Sequence, residues 1–171
     1  MLSQKHKVGG GKMEARLHAV LATGILTLFN TLFINVSNAL LLGAMTAIIT
    51  NALLDGLGTE REDENNYYTT PDTHTLPRAL FLGAITGLAN TLLLTMLTGL
   101  ALWHIIFLAI AGGIIASLMH LTLDVLTGDA VYVKRGGKWQ KIILVRRKIQ
   151  SLRGAIMLAS LIMLIIAFKI Y

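Results

Sequence analysis

The chain has 171 residues, 54% of them hydrophobic and 14% charged, with mean hydropathy +0.67 and a formal net charge of +6. A soluble domain carries about 25% charged residues, so this composition excludes an ordinary soluble domain and points to an integral membrane protein. The lack of cysteine excludes disulfide staples, thiolate zinc sites, iron–sulfur clusters and a cysteine nucleophile.

Residues 1–15 are polar and basic, with Gly9–Gly11, and read as a flexible tail. Leu17–Leu54 then runs for 38 residues and Ala79–Leu123 for 45 without Asp, Glu, Lys or Arg. A spanning helix needs about 20 apolar residues, so each stretch holds two spans, and Leu152–Ile170 holds one more. The expected fold is an all-α integral membrane bundle of about five transmembrane helices. They form one transmembrane domain over 16–171, with spans at about 16–35, 39–57, 76–97, 100–126 and 152–170. The first span follows Lys5, Lys7, Lys12 and Arg16 as a secretory signal would, but it continues directly into a second span and reads as retained.

Between spans 1 and 2 a polar turn is expected at Asn35-Val36-Ser37-Asn38. The segment 58–76 is the first true loop. Thr75 is placed to cap span 3, and Pro77 falls in its first turn, where a missing N–H costs nothing. Gly83 and Gly87 in span 3, and Gly112, Gly113 and Ala116 in span 4, make small-residue faces for close helix packing. Thr98-Gly99 turns span 3 into span 4. In the loop 127–151, Ala130–Val133 and Lys138–Val145 flank Arg135-Gly136-Gly137, the pattern of a short β-hairpin. Lys169 can snorkel at the end of span 5.

Basic residues mark the cytoplasmic side. The N-terminal segment carries four against Glu14, and 127–153 carries eight against Asp129, while the turns 35–38 and 98–99 carry none. The expected topology therefore has the N-terminus and both long loops in the cytoplasm and the C-terminus outside. The basic loop favours anionic lipid over nucleic acid as its partner.

On that map His18, Asp55, His74, His120 and Asp124 all fall at inner span ends. His104 lies sixteen residues before His120, about 24 Å along a helix, and reads as an interfacial residue beside Trp103. His120 and Asp124 are spaced i, i+4, which sends both side chains from one helix face, as two-ligand metal motifs require. Asn51 repeats that spacing with Asp55 and is expected to orient it. Imidazoles with carboxylates suit a divalent Zn, Mn or Fe ion and activation of water for hydrolysis. Glu60 and Asp72 are candidates for a general base or a second-metal ligand, and Arg78 for holding an anionic substrate group or oxyanion.

The blocks Thr70-Pro71-Asp72-Thr73-His74-Thr75-Leu76-Pro77-Arg78-Ala79 and His120-Leu121-Thr122-Leu123-Asp124-Val125-Leu126-Thr127-Gly128, preceded by His18 and Asp55, resemble the YdjM-like group of predicted membrane-bound metal-dependent hydrolases. The likeness is greatest to an archaeal branch of unknown function and covers about residues 14–135. It implies His18, Asp55, His74, His120 and Asp124 as ligands. Many members carry Pro-Asp-x-Asp-His after span 2, where this chain has Leu54-Asp55-Gly56-Leu57-Gly58-Thr59-Glu60, with one Asp and no His, so that either a ligand is missing or Glu60 substitutes for it.

The leading expectation is a membrane-bound metal-dependent hydrolase working at the cytoplasmic interface on phosphoester or lipid-headgroup substrates. A non-catalytic scaffold or envelope protein with a degenerate site is the alternative. A proton- or ion-handling protein ranks last, because no ionisable group is expected at mid-membrane depth.

Overall fold

The structure is a computed structural model that describes residues 11–61, 67–99, 101–127, 130–143 and 150–170. It is mostly helical, with five helices: α1 (Gly11–Asn30), α2 (Val36–Gly58), α3 (Leu76–Thr98), α4 (Leu102–Thr127) and α5 (Gln150–Ile170). Two small antiparallel ladders join them, β1 (Thr59–Arg61) with β2 (Tyr67–Thr69) and β3 (Val131–Arg135) with β4 (Lys138–Ile142). The expected tail over residues 1–10, the loop acids Glu62, Asp63 and Glu64, and the basic run Arg146, Arg147 and Lys148 lie outside the described residues.

Most helix ends follow local chemistry. Asn35 caps α2, its Oδ1 accepting the Asn38 N–H at 2.9 Å. The α1–α2 turn therefore lies over 31–35 rather than at the expected 35–38, with the Ile34 N–H still returning to Asn30 O at 3.0 Å. Pro77 occupies the first turn of α3, and Thr75 stands at the N-cap position without a side-chain hydrogen bond. Gly99 ends α3 at φ 65°, its N–H bonding to Thr95 O, the left-handed exit that glycine makes at low cost. Gly136 and Gly137, at φ 55° and 79°, form the two-residue turn of the β3–β4 hairpin, because two successive positive φ angles match the twist of the strands. The β1–β2 ladder stands where the sequence suggested only a loop. Its register pairs Thr59 with Thr69 and Arg61 with Tyr67.

α2, α3 and α4 each contain a segment long and apolar enough to cross a membrane, Val36–Gly58, Leu76–Leu97 and Ile105–Thr127, and α5 adds the shorter apolar stretch Gly154–Ile170. Large apolar side chains such as Phe81, Leu92, Met96, Phe107 and Leu158 lie on the outside of the bundle, an outward face suited to lipid. Inside, α1 packs against α2 and α5, and α3 against α4. The α3–α4 seam is as close as the glycines allow: a Cβ on Gly83 would collide with the Gly113 carbonyl, and one on Gly87 with the Ala109 carbonyl. α1 meets α5 at Gly24, where Ser160 Oγ donates to Val20 O at 2.7 Å. Hydroxyls in the helices return to the carbonyl four residues back, as at Thr86, Thr91 and Ser117. Asn90 reaches across to Thr46 Oγ1 at 3.2 Å, so these polar groups among apolar neighbours find partners within the bundle, whereas Thr27 Oγ1, Asn30 Oδ1 and Thr50 Oγ1 are buried without one among the described residues.

Candidate metal centre

α1 places His18 near its start, α2 places Asp55 in its last turn, the turn before α3 places His74, and α4 places His120 and Asp124 one turn apart. These five side chains come together at one end of the bundle. His74, His120, Asp124 and His18 are 0–3% exposed, while the Asp55 side chain is 31% exposed and forms the open edge.

Short separations join His120 to its neighbours. His120 Nε2 lies 3.4 Å from His74 Nε2, 3.4 Å from Asp55 Oδ1 and 3.4 Å from Asp124 Oδ2. His74 Nε2 also lies 3.4 Å from Asp124 Oδ2. His18 stands beside this group, its Nδ1 3.2 Å from His120 Nδ1 and its Nε2 3.7 Å from Asp124 Oδ1. Two groupings thus have ligand atoms close enough to share an ion: Asp55, His74 and His120, and His18, His120 and Asp124.

Neighbouring groups set the tautomers. The Thr73 hydroxyl donates to Leu54 O at 2.8 Å, so towards His74 Nδ1, 2.9 Å away, it acts as acceptor. The proton then sits on His74 Nδ1, and Nε2 presents its lone pair to the cluster. The Asn51 amide donates to Ala47 O at 2.7 Å and offers Oδ1 to His120 Nδ1 at 2.7 Å. A carbonyl oxygen only accepts, so His120 likewise carries its proton on Nδ1 and turns Nε2 inward. Fixing one ring nitrogen to free the other is how ligating histidines are prepared. Asn51 was expected to orient Asp55, but its amide is committed to Ala47 and His120. His74 also ionises reluctantly: burial lowers its pKa from 6.5 to about 4, with the Thr70 backbone hydrogen bond opposing in part.

Thr73 and Gly58 are contributors that residue type alone did not single out. A Cβ on Gly58 would overlap Thr73 Oγ1 and the His74 ring, so α2 can end against the His74 turn only with glycine there. Neither of the two groupings contains Glu60, Asp72 or Arg78. Asp72 and Arg78 pair with each other at 2.7 Å on an exposed surface, and Glu60 lies exposed on β1.

The fold and this cluster define a helical, multi-pass membrane protein whose buried His/Asp centre could hold a metal ion. The chain belongs to DUF1286, a family of proteins of unknown function, whose model matches residues 13–123. No curated protein and no solved structure matches it.

Proposed function

We propose that the chain is a membrane-bound metal-dependent hydrolase, with five spanning helices, whose centre holds a divalent ion through His74 Nε2, His120 Nε2, Asp55 and Asp124. The observation that carries this reading is the set of 3.4 Å separations that link His120 Nε2 to each of the other three residues and His74 Nε2 to Asp124 Oδ2. Zinc binds imidazole and carboxylate at about 2.0–2.2 Å, and a tetrahedron of such bonds has edges of about 3.3–3.6 Å. Imidazole and carboxylate ligands suit zinc, manganese or iron, and a set of four such ligands suits zinc best.

In this reading His18 acts on Asp124 from behind the ion. His120 Nδ1 holds its proton towards Asn51, so the facing His18 Nδ1 is the acceptor of the pair. His18 then carries its own proton on Nε2, towards Asp124 Oδ1. A bound ion would polarise a phosphoester and lower the pKa of water at the site. The residues supply the rest: Asp55, at the exposed edge, leaves the side from which water and substrate enter. Arg78 is suited to hold an anionic substrate group, and Glu60 or Asp72 would act only after moving inward from the surface. The likeness to YdjM-like hydrolases supports the same chemistry. The excess of Lys and Arg in the N-terminal segment and the 127–153 loop supports a centre on the cytoplasmic side, facing the inner leaflet.

A four-ligand shell also suits a structural ion, which would fit a non-catalytic scaffold. The two readings part on one preparation. Elemental analysis of purified, zinc-replete protein should find about one zinc per chain. His120→Ala should abolish it, whereas His18→Ala should lower affinity about 10–100-fold, as loss of a supporting contact does. Chelation should stop phosphoester hydrolysis without unfolding the chain. Metal-free protein from zinc-replete medium would overturn the metal reading, and unfolding on chelation without any hydrolysis would leave the scaffold.

A further inference from the structure

The β3–β4 hairpin lies beyond the family-matched residues 13–123, yet it is fastened to the metal centre. The Tyr132 N–H donates to the His74 carbonyl oxygen at 2.8 Å. The Tyr132 hydroxyl donates to Thr69 O at 2.5 Å, and Thr69 Oγ1 to Ala130 O at 3.0 Å. Val131 packs on Leu54, Ala79 and Leu121, and two of these are the chain neighbours of Asp55 and His120. The root of the hairpin is therefore part of the wall that holds the site.

Beyond that root its composition changes. Residues 131–142 carry Lys134, Arg135, Lys138 and Lys141 and no acidic residue. The register pairs Lys134 with Trp139 and Tyr132 with Lys141. Cross-strand partners and alternate residues share a face, so these four side chains stand on one face. There Lys134 Nζ lies 5.6 Å from the centre of the Trp139 ring, and Lys141 Nζ 5.7 Å from that of Tyr132. Arg78, at the start of α3, brings its guanidinium to 5.7 Å from the same Trp139 ring. Cation–π contact orders Lys134 and Lys141 without neutralising them, whereas Arg78 is also paired with Asp72 at 2.7 Å. Trp139, on this face, and Ile143, just past the end of β4, remain exposed.

We propose that this face binds the phosphate of an anionic phospholipid and presents its headgroup to the metal centre, making an anionic membrane lipid the substrate. Charge complementarity selects the phosphate. The exposed tryptophan and Ile143 select the lipid over a free anion, since a soluble phosphate gains nothing from them, whereas the headgroup–acyl boundary accommodates both the ring and the lysines. The substrate half of the assignment rests on the hydrolytic reading above; the lipid-binding half does not.

The test uses the full chain in phosphatidylcholine nanodiscs, with Trp103→Phe leaving Trp139 as the one tryptophan of the two in the sequence. Acyl-brominated phosphatidylglycerol should quench Trp139 at a lower mole fraction than brominated phosphatidylcholine does. Lys134→Ala and Lys141→Ala should each raise the half-quenching fraction of the anionic lipid about fivefold, the effect of one basic residue at such a surface. The preference should survive His120→Ala, which removes the ion. Equal quenching by the two lipids would overturn the proposal, as would displacement of the anionic lipid by millimolar glycerol phosphate, which would make the occupant a soluble anion. If the lipid preference stands and zinc-loaded protein hydrolyses a soluble phosphoester but not phosphatidylglycerol, the substrate half is overturned; if it hydrolyses neither, the hydrolytic reading fails, and in both cases the lipid site remains.

Discussion

His74 illustrates how much of the centre depends on one hydroxyl. Thr73 accepts the Nδ1 proton only because its own proton goes to Leu54 O. Thr73→Val keeps the shape and removes the acceptor, so zinc affinity should fall about 10–100-fold, while Thr73→Ser should restore most of it; competitive titration against a zinc-sensitive dye reads both. The depressed pKa of His74 has a separate consequence in the metal-free protein. With a folded value of about 4 and an ordinary value of 6.5, the unfolded chain binds more protons between those limits. Stability contributed by neutral His74 is thus full above pH 6.5 and lost as pH falls towards 4. Thermal unfolding in detergent should show a melting temperature that drops over that window, and drops less in His74→Asn, which keeps a donor towards Thr73. That His18, Asp55, His74, His120 and Asp124 would cluster was legible in sequence, because each lies at a span end and four separate stretches deliver them to one side. Thr73, Asn51 and Gly58 were not legible in their roles, because hydroxyl direction, amide direction and close approach depend on how α2 meets the turn before α3.

At the level of elements, backbone proximity replaces the hydrophobic drive that lipid cannot supply. Gly83 and Gly87 lie directly on the backbone of α4 at Gly113, Ala109 and Ile110, and Gly113 lies back on Gly83. Gly83→Leu should therefore force α3 from α4 and destabilise the protein by about 1–3 kcal/mol or more. Gly154→Ala, where an added Cβ meets open space, should be neutral or slightly stabilising on helix propensity. Unfolding by denaturing detergent distinguishes the two. This seam was readable beforehand, since small residues four apart on an apolar stretch leave a clear pattern. The hairpin turn was readable too, because Gly136-Gly137 supplies both positive φ angles. The β1–β2 ladder was not: three-residue strands of Thr-Glu-Arg and Tyr-Tyr-Thr show too little alternation, and their pairing is fixed by the return of the Thr70 N–H to Gly58 O at 2.7 Å. The α1–α2 turn was misplaced because Asn35 and Asn38 both suit a turn, and only the capping bond shows that the helix begins between them.

For the molecule as a whole, the side on which the centre opens decides what it can act on. α2 ends at Asp55 and Gly58, α3 starts beside His74, and α4 ends beyond Asp124, so the site, the hairpin and the β1–β2 ladder share one end of the bundle. The α1–α2 turn and Gly99 lie at the other ends of those helices. Basic residues crowd the first end, whereas the α1–α2 turn and residues 98–99 carry none, and translocating lysine and arginine is disfavoured. The first end should therefore be cytoplasmic. The lack of native cysteine makes this directly measurable. Ser37→Cys, exposed at the start of α2, and Lys138→Cys, exposed on β4, report the two ends. A membrane-impermeant maleimide should label Ser37→Cys in intact cells and Lys138→Cys only after lysis. The reverse pattern would turn the centre outward, and a substrate drawn from the inner leaflet would then be out of its reach.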